Sequence, residues 1–179
     1  MAIQKVQATL KGITPLLMHC YPMVPIEALE KKSPEEQAEH AAYRTPEGEL
    51  YIPGIAIQRA LVGAATFSKG KGRATLQKPV AACVLISPER ILFENHKKPE
   101  YEIDARPVVI PSTRGRVIRY RPRLNEWEIT FTIEYDDTLL TETQLRRVVD
   151  DMGQRVGLLD FRPEKKGSFG RCLVVKWES

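Results

Sequence analysis

Ten residues in the last third of the chain alternate almost without error between polar and apolar side chains. In Glu126–Tyr135, every second residue is a large apolar or aromatic one, and the residues between them are Glu or Thr. A period of two is typical of a strand that turns one face to a core and the other to solvent. This segment therefore constrains the chain to a fold with a β-sheet covered on one side.

The helices and strands around this segment complete a recognisable order. Pro53-Gly54 begins a helix over 54–66 with an apolar stripe, and Thr141 with Gln144 forms a capping box at the start of a helix over 141–152, which Gly153 is predicted to end. Strands are predicted over 3–11, 114–123, 126–135 and 171–177. The order β-α-β-β-α-β predicts an α+β protein with a ferredoxin-like, RRM-like core and an antiparallel sheet, whose uncovered face could bind RNA.

The length of 179 residues predicts a single domain, 1–179, with two insertions in its core. The core comprises 1–17, 53–66 and 112–179, and the insertions are 18–52 and 67–111. Ser33, Pro34 and Glu36 predict a capped helix in the acidic first insertion. In the second insertion we predict a strand over 80–86 and short strands on either side of a polar tip at 95–99.

Positive charge is concentrated rather than abundant, since the net charge is only +4. Between Arg106 and Arg123 there are six arginines and no Asp, Glu or Lys. Arginine makes forked contacts with phosphates and stacks on bases, so this pattern favours nucleic-acid binding. The alternative is that some of these arginines pair across strands with Glu126, Glu128 and Glu134.

Two loops add glycines, cations and aromatic side chains. The loop at 68–78 has four cations and no acid, and the segment 153–171 has four glycines, two phenylalanines and several cations. Both compositions suit a single strand of nucleic acid, although solvated loops with Phe161 and Phe169 as anchors are the alternative. The predicted nucleic-acid-binding residues are Arg59, Lys69, Lys71, Arg73, Arg114, Arg116, Arg119, Arg121, Arg123, Arg155, Arg162, Lys165, Lys166, Phe169 and Arg171.

The residues do not favour an enzyme. His19 lies in an apolar stretch typical of a core, and His40 and His96 occur in polar surroundings. The three cysteines are far apart, and no spacing of His, Cys, Asp or Glu suggests a metal site, so we expect no catalytic residue, metal or cofactor. Because the chain has neither a signal-like segment nor an apolar run long enough to span a membrane, we expect a cytoplasmic protein with no membrane partner.

Three stretches follow one another in the order in which a known family carries similar motifs. These are Gly12–Leu17, Tyr51–Leu61 and Gly157–Arg171. The first resembles the end of the first strand, the second the "IPG…(R/K)…AL" entry to the first helix, and the third the glycine-rich loop before the last strand of the RAMP superfamily. The resemblance is to its backbone subunits, which coat guide RNA in CRISPR effector complexes.

The resemblance implies binding along a nucleic-acid backbone and side-by-side assembly, in a CRISPR system or in a stand-alone or phage relative. The family's RNA-processing members use a catalytic His, and no residue here matches it. We therefore predict a protein that binds single-stranded nucleic acid, RNA before single-stranded DNA, largely independently of sequence. It is expected to self-associate or to join a larger ribonucleoprotein complex. A structural subunit without nucleic acid and a RAMP-like endoribonuclease are the alternatives.

Overall fold

The computed structural model describes residues 2–94 and 101–179. Its strands are β1 Ile3–Gly12, β2 Leu16–Leu17, β3 Tyr51–Pro53, β4 Leu85–Ser87, β5 Arg90–Leu92, β6 Glu102–Val109, β7 Arg116–Leu124, β8 Glu128–Asp136 and β9 Cys172–Glu178. Its helices are α1 Ile26–Glu30, α2 Pro34–Ala41, α3 Gly54–Ala64, α4 Gln77–Cys83 and α5 Glu142–Asp151. The polar tip predicted at 95–99, which includes His96, lies outside the described residues. None of the described helices is both long and apolar enough to cross a membrane.

The protein is an α+β protein with antiparallel sheets, as predicted. The largest sheet has the strand order β4-β8-β1-β9, and every neighbouring pair in it is antiparallel. The alternating segment is its strand β8, which places Ile129, Phe131 and Ile133 on the buried face. Val6 of β1 lies opposite Ile133 in the same core. Helices α3 and α5 contribute the apolar stripes that pack in this cluster.

The helix starts predicted from capping signals are confirmed. Ser33 accepts the backbone N–H of Glu36, whose carboxylate accepts the backbone N–H of Ser33. Thr141 and Gln144 form the same reciprocal pair at the start of α5. These boxes satisfy N–H groups that have no partner inside the helix.

The predicted helix end at Gly153 is wrong. After α5 the chain continues through one π-helical turn, Met152–Val156, and the residue that ends it is Gly157 with φ +75°. Gly153 serves close packing instead, because a Cβ there would lie 2.3 Å from the carbonyl oxygen of Cys172.

The arginine-rich strand was assigned to the wrong sheet. Strand β7 exists close to the predicted 114–123, but it pairs with β6 and β2 in a separate three-stranded sheet and not with β8. The position beside β8 that was predicted for this strand is occupied by β4, which is only three residues long. Alternation specifies which side of a strand is buried, whereas it does not specify the partner strand. We call β6, β7 and the turn between them, residues 102–124, the arginine hairpin.

The strand predicted over 80–86 is also wrong in most of its length. Gln77–Cys83 is helical, and only Leu85–Ser87 is a strand. A short apolar run such as Val80–Ile86 suits a buried helix turn as well as a buried strand, because periodicity cannot separate them at this length. The first insertion also contains α1, which the sequence did not reveal.

Candidate nucleic-acid interface

The segment between the π-helical turn and β9 folds back on itself as a fixed loop. Leu158 N–H donates to the carbonyl oxygen of Gly170 at 2.9 Å, and Phe169 N–H donates to that of Phe161 at 3.0 Å. Gly170 has φ +76°, and a Cβ on it would lie 2.0 Å from the carbonyl oxygen of Leu158. Glycine at 170 is therefore required by both backbone conformation and space. We call residues 157–171 the Asp160 loop.

The Asp160 loop is hydrogen-bonded to the segment just after β1, residues 15–17, which includes β2. Gly170 N–H donates to the carbonyl oxygen of Pro15 at 2.8 Å, and Asp160 N–H donates to that of Leu17 at 3.0 Å. These bonds hold the Asp160 side chain beside His19, two residues after Leu17. Two of the three motifs noted in the sequence, Gly12–Leu17 and Gly157–Arg171, are thus in contact in the structure.

Asp160 lies between Arg121 and His19. Its Oδ2 accepts a hydrogen bond from the guanidinium of Arg121 and lies 3.5 Å from Nδ1 of His19. Burial alone would raise the pKa of Asp160, but the hydrogen bond from His19 and the charge of Arg121 outweigh burial and lower that pKa to about 2. Asp160 is therefore a carboxylate at neutral pH.

The backbone on both sides of Asp160 is in the left-handed region. Leu159 has φ 59° and Phe161 has φ 51°. Such conformations are costly for residues with a side chain and persist where the surroundings hold them in place. The docking bonds and the Arg121 contact supply that constraint here.

A cleft of about 620 Å³ opens between α3 and the Asp160 loop. His19, Tyr43 and Asp160 line it together with three of the predicted binding residues, Arg59, Arg162 and Lys165. Arg59 and Lys165 are exposed. Arg162 is held by Glu164, with Nη2 2.9 Å from Oε2, and by the carbonyl oxygen of Leu159. Glu164 also lines the cleft, so three cations from two distant parts of the chain meet there beside the carboxylates of Asp160 and Glu164.

Phe169 and part of the arginine set form a packed cluster. The Phe169 ring is 6% exposed and carries the guanidinium of Arg106 at 4.7 Å and that of Arg123 at 5.3 Å from its centre. Buried Asp104 accepts a hydrogen bond from Arg106 at 2.7 Å and lies 3.7 Å from Arg123. In this conformation Phe169 has no free face for a base, and the cluster attaches the arginine hairpin to the Asp160 loop. Phe161 adjoins it, edge to face with Phe169.

The other predicted residues divide by position. Arg121 is buried against Asp160, and Arg119 is half-buried with Nη2 4.0 Å from Glu30. Four of the six arginines therefore pair with Asp104, Asp160 or Glu30, and the described ion pairs of this set do not include Glu126, Glu128 or Glu134. Exposed cations occur in the arginine hairpin, in the 68–76 loop and around the Asp160 loop; they are Arg114, Arg116, Lys69, Lys71, Arg73, Arg155, Lys166 and Arg171. The guanidinium of Arg155 lies 5.1 Å from the Phe67 ring centre, and Nε of Arg171 donates to the backbone carbonyl oxygen of Gln154.

The uncovered face of the large sheet does not resemble a base-stacking platform. On β1 and β8, Lys5, Thr9 and Thr130 are among the residues on this face, and the described strands place no aromatic side chain there. Lys5 is paired with Glu134 at 2.8 Å, and the hydroxyls of Thr9 and Thr130 are 2.8 Å apart. The RRM-like use of this face therefore lacks its usual stacking residues.

Sequence reasoning missed the role of His19. We expected a core residue, but 42% of its side chain is exposed, and it lines the cleft. The pairing of Asp160 with Arg121 was missed as well, because the two residues are 39 positions apart. Both segments, Gly12–Leu17 and the loop that contains Asp160, were marked by the family resemblance, but the resemblance did not pair them.

The fold is similar to that of Cmr6 from Pyrococcus furiosus. Its crystal structure matches with a TM-score of 0.55 and 10% sequence identity, over 97% of this chain and 99% of that one. At this identity the likeness concerns the fold, and it supports a RAMP-like fold. No protein-family model matches the chain, and no curated protein matches it in sequence.

Proposed function

We propose that this protein binds single-stranded nucleic acid in the cleft between α3 and the Asp160 loop. The observation that carries the proposal is the convergence of Arg59, Arg162 and Lys165 on one open cleft of about 620 Å³. Cations from separate elements that meet on one surface suit a chain of phosphates, and contacts of this kind depend little on base sequence. RNA is favoured over single-stranded DNA.

The likeness to Cmr6 supports the same proposal. Cmr6 is a RAMP subunit of a CRISPR Cmr complex. The strand order β4-β8-β1-β9, with α3 and α5 packed in one core, is the arrangement expected of a ferredoxin-like unit. We propose that this chain has such a unit and that it assembles side by side or within a larger ribonucleoprotein complex. The exposed arginines Arg114 and Arg116 extend the basic surface beyond the cleft.

Binding of labelled single strands tests the proposal. RNA and DNA strands of equal length and sequence are titrated with protein at low salt, followed by fluorescence anisotropy, and the titration is repeated at rising salt. We expect binding that weakens steeply with salt and little with sequence, with RNA bound more tightly than DNA. Absence of binding to either strand at low salt would overturn the proposal, and defined oligomers without nucleic acid would then favour a structural subunit.

A second candidate function, cleavage of RNA, is favoured by one contact. His19 lies beside Asp160 in the cation-lined cleft, and a carboxylate that orients a histidine is a common arrangement for proton transfer. We place binding without cleavage first, because the Asp160 carboxylate also has a structural partner in Arg121. Incubation of labelled RNA with the wild-type protein and with His19→Ala tests this. Cleavage that is lost with His19→Ala would establish the second function.

A further inference from the structure

An exposed aromatic side chain lies just after α3, where the helix continues into one 3₁₀ turn, Ala65–Phe67. Phe67 is 53% exposed, and the basic 68–76 loop follows it. A single exposed apolar side chain is common on protein surfaces and by itself indicates no ligand. The residues that lie around Phe67 are what distinguish it.

Cations from three segments lie near Phe67. The guanidinium of Arg155, in the π-helical turn after α5, lies over the Phe67 ring at 5.1 Å from its centre. Nε of Arg171 donates to the backbone carbonyl oxygen of Gln154, the neighbour of Arg155, and the exposed Lys69 follows Phe67 by two residues. An aromatic ring beside cations suits a nucleotide, because the base stacks and the phosphate is neutralised. We call Phe67, Lys69, Arg155 and Arg171 the Phe67 patch.

Three aromatic side chains are exposed among the described residues, and the other two are less suited to a base. Phe161 is 37% exposed, but the guanidinium of Arg106 lies 5.2 Å from its ring centre and its ring meets Phe169 edge to face. Tyr21 is 76% exposed and belongs to the acidic first insertion. Phe67 is therefore the exposed aromatic residue that combines a solvent-facing ring with a basic surrounding.

The Phe67 patch adjoins the cleft. Gly157 lines the cleft and lies two residues after Arg155. Arg59, which also lines the cleft, precedes Phe67 by eight residues of the same helix and its 3₁₀ turn, a rise of about 13 Å. At a spacing of roughly 3.4 Å per stacked nucleotide, about four nucleotides span that rise. A strand with a phosphate on Arg59 is therefore long enough to bring a base to Phe67.

The carboxylates near this path are paired with arginines. Oε2 of Glu164 lies 2.9 Å from Nη2 of Arg162, and Oδ1 of Asp151 lies 3.4 Å from Nε of Arg155. The described ion pairs include neither Arg59 nor Lys69, so net positive charge remains along the path. Arg155 itself stays accessible to a phosphate, because 57% of its side chain is exposed.

We infer that Phe67 stacks one base of the strand bound in the cleft, and that Arg155 contacts the phosphate next to that base. The inference rests on the proposed function, because the strand must first lie in the cleft. Every base has a π-face, so stacking on Phe67 adds affinity with little dependence on base sequence. The contact also distinguishes a nucleic acid from a chain of phosphates that carries no bases.

Strands with and without bases test this inference. A labelled uridine strand and an abasic strand of the same backbone and length are titrated with the wild-type protein and with Phe67→Ala at low salt, and binding is followed by anisotropy. Phe67→Ala should weaken binding of the uridine strand roughly 5- to 100-fold, the range for one stacked base. Binding of the abasic strand should change less than about twofold, because the phosphate contacts remain. The control is Tyr21→Ala, at an exposed aromatic residue of the first insertion, which should change binding of either strand less than about twofold.

Phe67→Trp keeps an aromatic face and reports stacking directly. The uridine strand should quench the indole fluorescence of this variant beyond the change seen in the wild-type protein, in which Trp127 is buried and Trp177 is half-buried. The abasic strand should cause no such additional quenching. This measurement does not depend on the folding of Phe67→Ala.

The outcomes separate the inference from the proposed function. If both strands bind and Phe67→Ala weakens neither, or weakens both equally, the inference is wrong while the proposed function stands. Absence of additional quenching in Phe67→Trp also overturns it. So would a wild-type oligomer, seen by light scattering without nucleic acid, that Phe67→Ala dissociates, because the patch would then contact protein. If the wild-type protein binds neither strand, the proposed function fails and the inference fails with it.

Discussion

Arg121 of β7 donates a hydrogen bond to Asp160, and this contact joins the arginine hairpin to the loop that borders the cleft. Asp160 lies between Leu159 and Phe161, which both have positive φ. Nδ1 of His19 lies 3.5 Å from the same oxygen. One ion pair thus links the arginine hairpin to a residue that lines the cleft.

Asp160→Asn should destabilise the protein by about 3 kcal/mol near neutral pH, because it leaves the buried Arg121 without a charged partner. The loss should shrink on acidification. In the folded protein the pKa of Asp160 is lowered to about 2, whereas in the unfolded chain it is ~3.9. The carboxylate therefore stabilises the fold fully above the unfolded pKa, and this stabilisation is lost as the pH falls through the folded pKa. Urea unfolding of both proteins at pH 5 and pH 2.5 measures the difference.

The part of this stability loss that depends on pH should be no more than about 2 kcal/mol, because 33% of the Asp160 side chain is exposed and solvent screens its charge. Asp150→Asn is the control. Asp150 pairs with Arg146 on the surface of α5, with 43% of its side chain exposed, and its replacement should change stability by less than about 0.5 kcal/mol. Equal losses in the two variants would show that Arg121 does not depend on Asp160.

Local rules predicted local structure well, and pairing between distant segments poorly. Ser33 with Glu36 and Thr141 with Gln144 marked helix starts because both partners lie within one turn. The alternation of β8 predicted its buried face, because alternation too is a pattern between residues close in sequence. Which sheet the strand Arg116–Leu124 joins depends on which other strand pairs with it, and this is not a local property. The contacts of Arg121 with Asp160 and of Arg123 with Asp104 likewise join residues far apart in sequence, so no local pattern indicates them.

Charge counting was least informative about the arginines. Six arginines with no acid among them suggested a surplus of free cations even if Glu126, Glu128 and Glu134 paired with some of them. The partners in the structure are Asp104, two residues before the first arginine, and Asp160 and Glu30 from other segments. Arg114 and Arg116, in the turn and at the start of β7, remain exposed. Sequence proximity is therefore a poor guide to which cations are free.

Asp104→Asn should loosen the arginine hairpin. Its side chain is 6% exposed and contacts both Arg106 and Arg123, which lie on the Phe169 ring. Removing the charge should cost about 2 kcal/mol, less than for a fully buried pair because both arginines are partly exposed. Hydrogen exchange should accelerate in 102–124 and 161–169. Asp137→Asn, at an exposed carboxylate that accepts from Gln4, should leave exchange there unchanged.

Gly170→Ala and Gly48→Ala form a matched pair at positive φ. The φ values are +76° and +85°, but a Cβ at 170 would lie 2.0 Å from the carbonyl oxygen of Leu158, whereas nothing lies within 4 Å of one at 48. Gly48→Ala should cost about 1 kcal/mol for conformation alone. Gly170→Ala should cost about 3 kcal/mol or more, because the backbone must also shift. Thermal unfolding measures both, and similar losses would contradict the close packing of the Asp160 loop.

Arg59→Ala combined with Lys165→Ala should weaken binding of a single strand roughly tenfold at low salt, because two phosphate contacts in the cleft are lost. The slope of log affinity against log salt should become shallower by about 1.4, near ~0.7 for each contact with a single strand. The control is Lys5→Ala combined with Lys176→Ala, which removes two exposed cations paired with Glu134 and Glu178 on the sheet. Anisotropy titrations between low and moderate salt give both slopes. If the control variant loses as much affinity as the cleft variant, the strand lies on the sheet and not in the cleft.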